Sequence, residues 1–270
     1  MNNQKFPSAL EALIVSIGIV LSFHLISLIL IVILQITLTG YSIEDFSRVI
    51  FIVGGLYFLI VTLAYLKIRN FPILETLRLK SVAAETALLG AVIGLTAGIL
   101  TDEIDVLRQM VVENPKWFDD MMQYFGATGA FDWLLLIIGV VILASLSEEF
   151  LFRGFLQLAL EKQGDVTRAV LLTSLVWTMV HLNIFWALQT FIIGVIIGFL
   201  VWKCGSIIPA IIAHATNNFF SLLFHNYESS LGWYRMGDHV SLIVLAVALP
   251  VFLWGMRRFI ALNSRALVEP

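Results

Sequence analysis

The chain has 270 residues, 60% of them hydrophobic and only 13% charged, with a mean hydropathy of +0.95. A soluble domain carries about 25% charged residues, so the composition argues against a soluble enzyme and against a disordered segment. The formal charge of −3, with no basic cluster, speaks against a nucleic-acid partner, and the single Cys204 excludes an intramolecular disulfide and any multi-cysteine metal site.

Apolar runs recur along most of the length, the signature of a polytopic membrane protein. Eight spans are predicted, near residues 10–38, 49–66, 82–100, 132–152, 168–186, 187–202, 207–225 and 240–256. The first is too long for a signal-peptide core and no small-residue cleavage site follows it, so it reads as a retained span. The span at 187–202 would rise only ~24 Å, short of the ~30 Å hydrocarbon core. With the preceding segment it is expected to form a hairpin that turns at depth near Asn183 to Trp186. The fold class is therefore all-α: one membrane-embedded domain over 1–270, a transmembrane helical bundle.

Positive charges set the orientation. With a cytoplasmic N-terminus, the inner segments hold Lys5, Lys67, Arg69, Arg78, Lys80, Arg153, Lys162, Arg168, Lys203, Arg257, Arg258 and Arg265. The outer segments hold only Arg48, Arg108, Lys116 and Arg235. Both termini are expected in the cytoplasm of a multi-pass protein of the cell membrane. The longest outer connection, Thr101 to Phe131, interleaves acids with aromatic residues and reads as an amphipathic segment at the interface.

Three apolar runs contain groups that lipid disfavours. Glu148, Glu149 and Arg153 lie in SLSEEFLFRG, His181 in LVWTMVHL, and His214 and Asn218 in IIAHATNNFF. A charge in hydrocarbon costs roughly 2.5–3.5 kcal/mol or more, so these groups read as one buried site with a chemical task. Glu149 and Arg153 are four apart, the favourable order for an ion pair on one helix face. Glu148, rotated about 100° away, is left free to act as a general base. His214 and Asn218 are also four apart, so an imidazole and an amide project together and could hold a developing oxyanion. Alternatively, one carboxylate and two histidines form a zinc ligand set. The local HExxH signature is missing, so spacing leaves metal-bound and Glu/His-activated water both open. Counted from Arg168, His181 lies ~20 Å along its helix, and the hairpin would be needed to return it to the others. The chamber is expected to open to the cytoplasm or to lipid. Gly194 and Gly198 read as a close-packing pair, and Asn217 as interhelical glue.

EExxxR, aromatic-xxx-His and HxxxN together resemble the CPBP intramembrane proteases, the family of type II CaaX prenyl endopeptidases and of bacteriocin-processing and immunity proteins. The resemblance covers 142–220, which would be the catalytic core; Trp177 stands where phenylalanine is more usual, and its larger ring would narrow the pocket. It implies an endopeptidase acting on a membrane-associated or lipidated peptide. Glu148 would activate water, His181 would assist it, and His214 and Asn218 would stabilise the oxyanion. Glu149 and Arg153 would hold the first motif in place. It also implies a divalent metal, zinc first, on Glu148, His181 and His214, although a metal-free glutamate mechanism has been argued for the family. Two rival classes remain. One is a ligand- or ion-binding transporter or sensor, which no visible repeat supports. The other is a non-catalytic immunity scaffold, for which a lost motif residue would speak.

Overall fold

The structure is a computed structural model that describes residues 6–37, 43–227 and 230–264. Lys5 and Arg265, counted above among the inner charges, lie outside the described residues. Helices dominate: α1 (Ala9–Thr37), α2 (Ile43–Ile68), α3 (Ile73–Thr76), α4 (Ala84–Gln109), α5 (Lys116–Met122), α6 (Ala130–Gln163), α7 (Val166–Met179), α8 (Ala187–Cys204), α9 (Ile208–Tyr227) and α10 (Leu242–Leu262). A short hairpin, β1 (Arg235–Met236) and β2 (His239–Val240), precedes α10.

Six of these helices are long and apolar enough to cross a membrane: α1 over Ala9–Leu34, α2 over Phe46–Ile68, then α4, α6, α8 and α10. Leu21, Leu25, Leu28 and Ile29 of α1 are exposed, a surface suited to acyl chains. The other two expected spans differ. In place of 168–186 stands α7, which has 14 residues and rises only ~21 Å. In place of 207–225 stands α9, which has 20 residues but carries His214, Asn217, Asn218 and His225 along its length.

Local chemistry explains the ends of α7 and α8. Asp165 caps α7 by accepting from the Arg168 N–H at 3.0 Å. The helix stops at Met179, and Leu182 then takes a left-handed conformation with φ 50°. For a leucine this costs about 1–3 kcal/mol. Asn183 Oδ1 accepts from Phe185 N–H at 3.0 Å and completes the reversal. The chain thus turns back over 180–186, where the hairpin was expected, and α8 packs along α7. Gly205, left-handed at φ 69°, closes α8.

Helix α4 runs on to Gln109, so Asp102, Glu103 and Asp105 belong to a helix end rather than to the interfacial loop expected from Thr101 onward. The reason is pairing. Asp102 accepts from the Tyr234 hydroxyl at 2.7 Å and lies 3.3 Å from Arg235, while Glu103 holds His239 at 2.8 Å and the Val240 N–H at 2.9 Å. Burial, and then the Asp102 carboxylate, push the Tyr234 phenol above the usual tyrosine range, so it remains a donor.

The tightest helix contact joins α4 and α9. A Cβ placed on Gly90 would meet the Pro209 carbonyl oxygen at 2.5 Å, and one on Gly94 the Ala213 oxygen at 2.2 Å. One on Gly98 would meet Asn217 Oδ1 at 2.5 Å. Three glycines four apart therefore accept three residues four apart, and the backbones touch. Gly94→Ala must push backbone apart, so a loss of about 1–3 kcal/mol is expected. Thermal unfolding in detergent checks this: Gly94→Ala should melt lower than wild type, while Gly18→Ala, with open space around it, should not.

Candidate active site

Helix α6 is not a uniform α-helix. Two wide π-type stretches, Ile137–Ala144 and Glu149–Leu156, flank a single α turn, Ser145–Glu148. Such widenings occur mostly at functional sites, and here one begins between the two glutamates.

The six motif side chains come from α6, from the turn after α7 and from α9, and the fold brings them together. Glu148, His181, His214 and Asn218 line one cavity of about 1010 Å³. Glu149 and Arg153 lie behind that wall, both with no exposed surface. Arg153 Nη1 donates to Glu149 Oε1 at 3.2 Å, and His214 Nδ1 meets the same oxygen at 2.9 Å. Arg153 Nη2 also donates to the Gly194 carbonyl of α8 at 3.4 Å. Arg153 therefore belongs to the core, and its place among the inner-segment charges is corrected: no group wholly inside the bundle can report which side of the membrane it faces.

Trp177 connects these parts. Its Nε1–H donates to Glu148 Oε2 at 2.6 Å. Its ring lies under the Arg153 guanidinium at 4.4 Å and meets the His181 and His214 rings edge-on at 5.0 and 5.4 Å. Behind it, a Cβ on Gly194 would stand 3.0 Å from the indole. Gly194 thus makes room for the tryptophan. Gly198 plays the matching part for Gln157, which donates to its carbonyl at 3.0 Å.

The hydrogen bonds fix ring tautomers. A carbonyl only accepts, so His181 Nδ1–H donates to the Trp177 oxygen at 2.7 Å. A carboxylate only accepts, so His214 Nδ1–H donates to Glu149. In each neutral ring Nε2 then carries a lone pair. His214 can donate from Nε2 only when its ring is doubly protonated. Asn218 Nδ2 donates to the Val140 carbonyl of α6 at 2.9 Å, which spends one of its two N–H groups on joining α9 to α6. Asn217 also lines the cavity, and its Nδ2 lies 3.4 Å from Asn218 Oδ1, so it borders the site as well as the α4 contact.

Residues 130–220 match the family model described as "Type II CAAX prenyl endopeptidase Rce1-like". The matched stretch holds every motif residue. Over that stretch the chain is similar to the type II CAAX prenyl endopeptidases. No curated protein and no solved structure matches the chain. The match begins at Ala130, ahead of the 142–220 core, and so takes in the whole of α6.

The site has donors of the right chemistry for a metal, namely two Nε2 lone pairs and a carboxylate. Their spacing does not fit one: among the described residues, no three His, Cys, Asp or Glu side chains stand close enough together to hold a metal ion. The chemistry that follows therefore rests on the chain's own side chains.

Sequence reasoning passed over two contributors. Trp177 was read as sharing a helix face with His181, four residues on, and as a departure from phenylalanine, but not as a donor to Glu148, which phenylalanine could not be. Gln157 follows Arg153 by four and repeats its contact with a glycine carbonyl, a spacing that was readable. Beyond the motif residues the cavity is lined by Gln109, Asn114, Met122, Phe224 and Asp238, at the end of the bundle opposite most of the lysines and arginines.

Two substitutions test this architecture. Trp177→Phe keeps a ring and removes the donor to Glu148. A hydrogen bond to a charged group contributes about 1.5–3 kcal/mol, so kcat should fall roughly 10- to 100-fold while KM and melting temperature stay near wild type. Arg153→Met leaves Glu149 buried without its cation. Such a loss costs about 3–5 kcal/mol, and it should appear as reduced yield and a lower melting temperature in detergent.

Proposed function

We propose that the protein is an integral membrane endopeptidase that hydrolyses a peptide bond in a membrane-associated or lipidated, CaaX-like peptide. The observation that carries the reading is the unequal environment of the paired glutamates. Glu149 is wholly buried between Arg153 and His214, whereas Glu148 lines the cavity with one oxygen held by Trp177.

Oε1 of Glu148 takes a proton from a water, whose oxygen attacks the peptide carbonyl. His181 Nε2 accepts the water's second hydrogen bond and keeps a lone pair of the oxygen aimed at the carbonyl carbon. The tetrahedral oxyanion is held by His214, which donates from Nε2 when its ring is doubly protonated, and by the remaining N–H of Asn218. As the C–N bond breaks, Glu148 returns its proton to the departing amine. The zinc expected on Glu148, His181 and His214 has no part in this scheme, because their spacing does not fit a metal; the cell membrane is the expected location.

The transporter reading has no observation in its favour. Loss of a general base costs about 10²–10⁴-fold, so Glu148→Gln should lose activity by at least that factor without loss of folding. The measurement is cleavage of farnesylated and unfarnesylated CaaX peptides by purified protein in lipid vesicles. Full activity in Glu148→Gln would remove the assigned base. Cleavage of both peptides alike would remove the lipid requirement. Elemental analysis of the same sample, before and after chelation, decides whether a metal accompanies the base.

A further inference from the structure

The two ends of the bundle are defined by their contacts. At one end Ala9 N–H donates to Gln163 Oε1, Arg69 pairs with Glu11, Arg78 with Glu161, Arg258 with Glu85, and Ser206 donates to the Lys80 carbonyl. At the other, Arg48 reaches Asp132 and the Gly126 carbonyl, Asn226 bonds to Ala127 and Phe125, and Asp102 and Glu103 hold the β1–β2 hairpin. Among the described residues the first end carries nine lysines and arginines (Lys67, Arg69, Arg78, Lys80, Lys162, Arg168, Lys203, Arg257 and Arg258) and the second carries four. Positive charge near span ends stays on the cytoplasmic side, so the first end is the cytoplasmic one.

Of the two ends, the described lining of the cavity reaches the second. That lining includes none of the residues of the cationic end. Between the motif and that end lies a solid core: Leu66, Leu77, Phe152, Leu156, Leu200 and Val201 each expose no surface. Toward the other end the cavity continues past Thr190 and Phe220 to Gln109, Asn114 and Asp238.

We infer that the site takes its substrate from the non-cytoplasmic side of the membrane. Its substrate is a peptide segment that has been exported or is displayed on the outer leaflet. This rests on the endopeptidase reading for what happens to the peptide, but not for the side from which it comes. A peptide held in the cytoplasm would have to cross the sealed core to reach Glu148.

Thiol labelling tests the direction without any need for activity. In a Cys204→Ser background, single cysteines are introduced as Ala144→Cys, which lines the cavity one turn before Glu148, as Asp238→Cys at the mouth, and as exposed Arg168→Cys at the opposite end. A membrane-impermeant maleimide is applied to intact cells and to inside-out vesicles. The expected result is labelling of Ala144→Cys and Asp238→Cys in intact cells only, and of Arg168→Cys in inside-out vesicles only. Labelling of Ala144→Cys only from the cytoplasmic side, or from neither side, overturns the inference. Wild-type right-side-out vesicles given an impermeant peptide provide the second arm. Labelling as expected with no cleavage of any peptide would count against the endopeptidase reading while the direction of access stands.

Discussion

A guanidinium with no exposed surface has to be neutralised where it stands, and Arg153 is such a group. Isolated, it would carry a desolvation cost of several kcal/mol. Its neutralisation draws on α6 through Glu149, on α7 through the Trp177 ring, and on α8 through the Gly194 carbonyl, and Glu149 passes the contact on to His214 of α9. Four helices are therefore held in register by one side chain. His214 touches the carboxylate of that pair, and Glu148 and His181 are linked to the cation through Trp177. A buried pair of this kind contributes little net stability compared with an apolar replacement, but it penalises every packing that separates its partners. What it supplies here is geometry: Glu149 cannot leave Arg153, so Glu148, its neighbour in the chain, is the carboxylate that turns to the cavity.

Close backbone approach supplies the rest of that geometry. Gly90, Gly94 and Gly98 let α9 lie against α4, which sets the height of His214 and Asn218. Gly194 and Gly198 let Arg153 and Gln157 reach bare carbonyls and leave room for an indole in place of a smaller ring. The left-handed Leu182 ends α7 early enough for His181 to stand beside Trp177 instead of continuing along the helix. Strain at that one residue is offset by the packing of α8 on α7, and it marks the turn as a place where the backbone is shaped for the site.

Glu148, Glu149, Arg153, His181, His214 and Asn218 were legible in the sequence because polar groups stand out against apolar helices. The all-α class and the hairpin at 180–186 were legible from run length. Trp177 was not, because an aromatic residue in an apolar run gives no contrast, and its hydrogen bond appears only when α7 is set against α6. The tautomers of the histidines depend on partners 65 residues away in the case of His214, or on a helix end in the case of His181. Neither is encoded in spacing. The span count diverged for a physical reason: α7 and α9 carry the site, and helices that line a polar cavity need not be as long or as apolar as those that face lipid.

Depth counted along helices from their basic ends, as though each stood upright and alone, does not reveal where the cavity lies. In the assembled bundle the cationic end is closed by large apolar side chains packed around α6, and the cavity lies on the other side of the motif, lined by residues of α4, α5 and the β1–β2 turn. That distribution follows from the same charge. The wide stretch that begins at Glu149 buries all eight of its residues, Arg153 included, so the half of α6 nearest the cationic end is committed to the core. The stretch from Ile137 to Ala144 buries only Gly139 and Val141. The cavity wall therefore continues from Glu148 toward Ala144 and not toward Phe152, and Glu148 stands at the boundary between the two halves of α6.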